Sequence, residues 1–341
     1  MTTPDMSSRT TGILFAIAAY ALFSTHDAFI KALGGTYAPF QVIFFSVLFG
    51  FPPVAMSMSA ERALDNFRPH HPWWLAARTI GILISMVCGF YAFSVLPLAQ
   101  VYAILFASPL LITALSVPFL GETVGIRRWI AIIVGLVGVM VVVRPGMQEL
   151  TLGHLAALTA AVINSFGAII VRKISSDERS AVLILYPMAA TLLVMAVLLP
   201  GVYRPMPILD LGLAAMIGVL AFCGQFMSIM AYKRASAGLI APMQYSQILW
   251  ATLFGALFFN EFPDQFTFIG AGIIIASGVY IVWRETRESV SVRQPVLRMS
   301  NTRYDTGPSP DPKGSKRQGI VLNFDAEPAT EDTGAITPEK P

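Results

Sequence analysis

Ten apolar stretches, each close to the length of a membrane crossing, dominate this sequence of 341 residues. A helix needs about 20 mostly apolar residues to cross roughly 30 Å of hydrocarbon. The stretches cover approximately 11–33, 38–58, 73–95, 98–120, 127–144, 151–172, 181–200, 208–232, 238–260 and 266–284. In lipid every backbone N–H and C=O must be satisfied within the protein, which leaves helices and closed barrels. No ten-residue alternation of apolar and polar positions occurs, so a barrel is excluded. The expected fold is an all-α membrane protein with ten transmembrane helices. Charge agrees: 13% of residues are charged, against roughly 25% in soluble domains. A net charge of +3 is too small to argue for a nucleic-acid partner. The lipid bilayer is the expected surrounding.

The first stretch is too long for a signal peptide's apolar core and ends at Lys31 rather than at a small-residue cleavage site, so it is expected to stay as a span. Lys and Arg set the orientation, because cytoplasmic connections are enriched in them. With the N-terminus inside, the inner segments carry twelve such residues and the outer ones three: Lys31, Arg144 and Arg204. Both termini are therefore expected on the cytoplasmic side of a bacterial inner membrane. Residues 1–10 form a short cytoplasmic N-terminus. Residues 285–341, rich in Pro, Ser, Asp and Lys, are expected to be a disordered cytoplasmic tail.

A shift of 139 residues aligns Glu122 with Glu261, Trp129 with Phe268 and Gly138 with Ser277. Each copy has an acidic turn followed by a Gly- and Ala-rich helix. Residues 11–144 and 151–284 thus read as two five-helix repeats. Five is odd, so tandem copies must lie upside down relative to each other. The turns agree: Arg127 and Arg128 follow Glu122, whereas Asp264 and no cation follow Glu261. Inverted repeats are characteristic of secondary transporters, whose site lies at the repeat interface. Ala131/Gly135 and Gly272/Ala276 suggest close helix packing in the fifth and tenth spans.

Polar groups at membrane depth are costly and are functional candidates by default. Candidates for a substrate cavity are His26, Asp27, Arg78, Gln100, Tyr102, Asn164, Tyr186, Gln225, Gln244, Tyr245, Gln247 and Trp250. His26 and Asp27 are also the candidates for proton coupling, since an imidazole titrates near neutrality and a buried carboxylate readily takes a proton. Asp27 and Arg78 should be offset by about 16 Å along the membrane normal, too far for a direct ion pair. Arg78 is expected either to reach the inner headgroups or to hold an anionic substrate group. Gln244 and Gln247 share a face with Tyr245 and Trp250 nearby, a set that suits a neutral or zwitterionic ligand. Pro242 leaves the preceding turn's backbone under-satisfied. Cys88 and Cys223 are read as buried thiols, and His70 and His71 as solvated loop residues.

Enzyme motifs are absent. There is no phosphate-binding Gly-rich loop, no His-Glu-x-x-His and no serine in a nucleophile elbow. No metal and no cofactor is expected.

The ten-helix pattern, Gly121-Glu122 through Gly138 with its echo from Glu261 to Gly278, and Ala241-Pro242-Met243-Gln244-Tyr245 resemble the drug/metabolite transporter superfamily, EamA type. The resemblance covers residues 10–285, and His26-Asp27-Ala28-Phe29-Ile30-Lys31 looks like the first-helix ending of one bacterial branch. It implies exchange of amino acids, nucleotides, cofactors or drugs, often against protons. Some similar proteins import riboflavin or S-adenosylmethionine. Related sequences often read Phe-Phe-Arg in span two, where this chain has Phe44-Phe45-Ser46. The expected function is secondary transport of a small polar metabolite by a monomer or homodimer. The alternative from another class is a non-transporting scaffold or accessory subunit.

Overall fold

The structure, a computed structural model, describes residues 6–60, 68–121, 124–145, 149–174, 177–178, 180–235 and 237–287. Its helices are α1 (Met6–Gly34), α2 (Pro39–Ala60), α3 (Pro72–Val95), α4 (Leu98–Leu105), α5 (Ser108–Leu120) and α6 (Ile126–Val143). They continue with α7 (Leu152–Ile174), α8 (Ser180–Leu198), α9 (Ile208–Arg234), α10 (Ala237–Ile240), α11 (Gln247–Phe259) and α12 (Gln265–Arg287). No β-strand occurs among the described residues. Nine of the described helical segments are long and apolar enough to cross a membrane. This is a multi-pass helical membrane protein.

The stretch 238–260, expected as one helix, is broken. A 3₁₀ segment, Ala241–Ser246, separates α10 from α11. Pro242 explains the break, because it supplies no N–H and its ring crowds the preceding turn. The stretch 98–120 also divides: α4 ends at Leu105, and α5 restarts with Pro109 in its first turn. These breaks obey the repeat. Helices α11 and α12 start 139 residues after α5 and α6. The helix before each acidic turn ends on a left-handed residue, Gly121 (φ 69°) after α5 and Asn260 (φ 54°) after α11. Both residue types tolerate that conformation.

Packing follows the same relation. Helix α1 packs on α9, α3 on α7, and α6 on α12. Exchanging the two copies carries the α1–α9 contact onto α3–α7 and returns α6–α12 to itself. The α6–α12 contact does not use the expected Gly272 and Ala276, both of which are exposed. It uses the expected Gly135, where a Cβ would lie 2.5 Å from Ser277 Oγ, together with Gly138 and Gly270, where a Cβ on Gly270 would lie 2.6 Å from the Gly138 carbonyl oxygen. Helical phase decides this: Gly270 faces α6, and Gly272 points about 200° away from it. Helix α12 runs to Arg287, past the expected start of the tail at 285. The rest of the tail, 288–341, and the turn residue Glu122 lie outside the described residues.

Candidate functional site

Asp27 is the most densely bonded candidate. It lies in the last third of α1 and is 2% exposed. His26 Nδ1 lies 2.7 Å from Asp27 Oδ1. The Tyr102 hydroxyl, from α4, donates to Asp27 Oδ2 and lies 3.3 Å from Ser24 Oγ. Both carboxylate oxygens therefore carry a donor. Adjacent residues diverge by about 100° on a helix, yet the imidazole folds back onto its neighbour's carboxylate.

Aromatic rings wall this cluster. Phe90 meets His26 edge-on at 6.3 Å, and Phe93 meets Tyr102 at 5.5 Å between centroids. Phe106, at the joint between α4 and α5, lies 6.0 Å from Tyr102 and 5.0 Å from Tyr245. A continuous contact path thus runs from Asp27 through Tyr102 and Phe106 to Tyr245 in the 3₁₀ segment. Tyr245 is packed tightly there: a Cβ on Gly278 would fall 1.8 Å from its hydroxyl. Both broken segments contribute to one site, as expected where irregular backbone is buried in protein.

The other candidates separate into groups. Gln244, Gln247 and Gln225 are buried. The Gln247 Nε2, at the start of α11, and the neighbouring Ser246 Oγ have no hydrogen-bond partner among the described residues. Asn164 accepts from Ser85 Oγ at 2.8 Å, and its Nδ2 is buried without a partner among the described residues. The Gln100 amide and the His154 imidazole are 3.0 Å apart, and Thr151 Oγ1 meets the other ring nitrogen at 2.9 Å. These contacts tie α3 and α4 to α7. Trp250 is half-buried and stacks on Phe254.

Arg78 lies in the first third of α3, which packs on α8. It is 7% exposed, and its Nη1 donates to the Leu183 carbonyl of α8. This bond ties α3 to α8. Tyr186, in α8, is 40% exposed. Ser46, where related sequences often carry arginine, is buried and donates to the Ile43 carbonyl at 3.0 Å. The two thiols are half-buried rather than fully buried. His70 and His71 are solvent-exposed as expected, with side chains 60% and 40% exposed, and they also contact the α7–α8 connection. The His71 N–H donates to Glu178, whose side chain is buried with His70 3.8 Å away, and His71 Nε2 lies 3.3 Å from Asp177.

Sequence reasoning missed Ser24, His154 and the Phe90, Phe93 and Phe106 walls. His154 carried a readable signal, a lone imidazole inside an apolar run. The phenylalanines carried none, because they look like any other lipid-compatible residue. A crevice of about 470 Å³ lies elsewhere, between α6 and α12, and is lined by residues such as Arg127, Ile130, Val134, Ile273 and Tyr280. Its lining includes none of the candidate residues.

At the Lys31 end several polar contacts close over the bundle. Lys31 Nζ lies 2.8 Å from Glu261 Oε1. Tyr37 donates to Asp210 at 2.6 Å, and Gln41 exchanges two hydrogen bonds with the backbone of Arg204. The bond to Asp210, with burial and the carboxylate's charge, holds the Tyr37 phenol above its ordinary range. Arg144 meets Asp264. Burial pushes the Asp264 carboxyl up, but the Thr267 hydroxyl and N–H and the Arg144 guanidinium outweigh it and hold it below the usual carboxylate range.

Comparisons with known proteins identify the family and several relatives. The model of the EamA-like transporter family matches twice, over residues 10–144 and 151–283. The Pseudopaline exporter CntI of Pseudomonas aeruginosa is 27% identical over 268 residues, covering 78% of this chain and 94% of that protein. The S-adenosylmethionine uptake transporter of Rickettsia bellii is 25% identical over 276 residues, covering 81% and 94%. A solved crystal structure, 20% identical, superposes with a TM-score of 0.55 over 84% of this chain and 100% of the other. That last likeness concerns the fold alone.

Proposed function

The chain belongs to the EamA-like transporter family, and from that premise we propose that it is a proton-coupled secondary transporter of a small polar metabolite. The observation that carries the reading is the Asp27 carboxylate, buried in α1 with His26 on one oxygen and Tyr102 on the other. A proton arriving on either oxygen displaces one donor. Releasing Tyr102 loosens the α1–α4 contact, and α4 is hinged at Phe106–Ala107 directly against Tyr245. Proton binding is thereby linked to a movable joint at the meeting of the broken segments, where transporter sites are expected.

The same reading takes the repeats, 11–144 and 151–284, as two inverted five-helix halves. The ten crossings comprise the eight unbroken long helices and the two broken segments, 98–120 and 237–259. Support comes from the odd number of crossings per repeat and from the cation count, which favours both termini in the cytoplasm of a bacterial inner membrane. The chain that follows α12 is assigned to that side. The substrate site includes the unpaired donors Gln247 Nε2 and Asn164 Nδ2, which suit carbonyl or carboxylate oxygens of a polar solute. The family and the relatives are transporters rather than enzymes, and S-adenosylmethionine is the first solute to test.

The test compares untargeted metabolite profiles of cells lacking the protein, cells expressing it and cells expressing Asp27→Asn. Expected is a polar metabolite whose partition between cells and medium depends on the wild type and is lost, or no longer gradient-driven, in Asp27→Asn. Identical profiles in all three strains would overturn transport. Undiminished gradient-driven flux in Asp27→Asn would overturn the coupling site.

A further inference from the structure

One ion pair at the Lys31 end joins three elements that carry the site. Lys31 is four residues after Asp27, one turn further along the same face of α1. Its Nζ meets Glu261 Oε1 at 2.8 Å, donates to the Leu96 carbonyl at 2.7 Å and lies 5.5 Å over the Phe259 ring. The second oxygen of Glu261 accepts from the Leu98 N–H at 3.4 Å. The Glu261 N–H in turn closes the end of α11 on the Gly255 carbonyl at 2.9 Å. The pair thus ties together the end of α1, the joint between α3 and α4, and the end of α11. Those elements carry Asp27, Tyr102 and Gln247.

We propose that Lys31 and Glu261 are the positioning residues that hold this end of the translocation path shut, and that the path opens when they separate. The proposal rests on the transport reading above, and its chemistry suits a reversible closure. Lys31 is almost buried, with a side chain 9% exposed, whereas Glu261 is 25% exposed and sits where water reaches the pair. Water can hydrate Glu261 as the pair parts, which lowers the cost of separation below that of a fully buried pair. An interlocked apolar contact has no such compensation.

The Arg144–Asp264 pair supplies the contrast. It spans the two repeats at the same end but links α6 to α12, helices clamped at Gly138 and Gly270 with no room for a Cβ. It is a fixed brace, outside the elements that carry the site. A gate and a brace therefore differ in what their loss does, although both losses lower stability.

The experiment reads access rather than transport. Cys88 and Cys223 are replaced by alanine, and Ser24→Cys places a single thiol in the Asp27 cluster. A membrane-impermeant maleimide is added to right-side-out and to inside-out vesicles. Lys31→Met and Glu261→Gln should each speed labelling about tenfold from the face bearing Lys31 only, a shift of about 1.4 kcal/mol. Lys31→Arg, which keeps the charge, and Arg144→Gln, which removes the brace, should label as slowly as the parent. The gate is overturned if Lys31→Met labels no faster than Arg144→Gln, if Lys31→Arg labels as fast as Lys31→Met, or if labelling speeds up equally from both faces. Labelling needs no substrate, so failure here leaves the transport reading standing. Failure of transport in cells likewise leaves the labelling result intact.

Discussion

At the residue scale, Asp27 and Tyr102 were legible because a carboxylate or phenol inside an apolar run has to find a partner. Their meeting was not legible, since nothing in sequence spacing sets α1 against α4. Arg78 shows the converse. Its charge marked it as a candidate for anion binding, and its contact with the Leu183 carbonyl of α8 had no signal in the sequence. Tyr102→Phe should keep the fold and weaken proton coupling, because one Asp27 oxygen loses its donor; a flattened pH dependence of flux with an unchanged melting temperature checks this. Gly138→Leu should act on stability instead. Its side chain would enter the contact with Gly270 and Ile274, where even a Cβ comes within 2.9 Å. Overpacking of this kind costs about 1–3 kcal/mol, which thermal unfolding in detergent would read as a clear drop in melting temperature.

At the element scale, the sequence placed the helices well, because apolar run length is a direct physical requirement of the bilayer. It placed their interruptions less well. Pro242 marked the break before α11, yet the stretch 238–260 still read as one crossing, because hydropathy does not register a missing N–H. The break at Phe106–Ala107 follows from its place in the repeat, with α5 and α11 starting 139 residues apart. The start of α12 carries its own titration. Asp264 is held below the ordinary carboxylate range once Thr267 and Arg144 outweigh burial. A carboxyl depressed by folding stabilises above its unfolded value, about 3.9, and that contribution is lost as pH falls through the folded value. Asp264→Asn should therefore lower stability at neutral pH by no more than about 1 kcal/mol, given the partial exposure of the pair. The difference from wild type should shrink below about pH 4, as melting curves across pH would show.

At the scale of the whole molecule, the repeat was legible from the acidic turns and the small-residue helices, and the family match over both halves agrees with it. The packing adds what the sequence could not supply: the contacts of α1 with α9 and of α3 with α7 exchange when the copies exchange. The two broken segments meet, α4 against α11, beside Asp27, the carboxylate proposed above as the point of coupling. The direct test is flux in proteoliposomes, using the metabolite identified by profiling and an imposed proton gradient. Wild type should accumulate it against its own gradient. Asp27→Asn should still exchange labelled for unlabelled metabolite but accumulate none. Accumulation by Asp27→Asn equal to that of wild type would contradict the account.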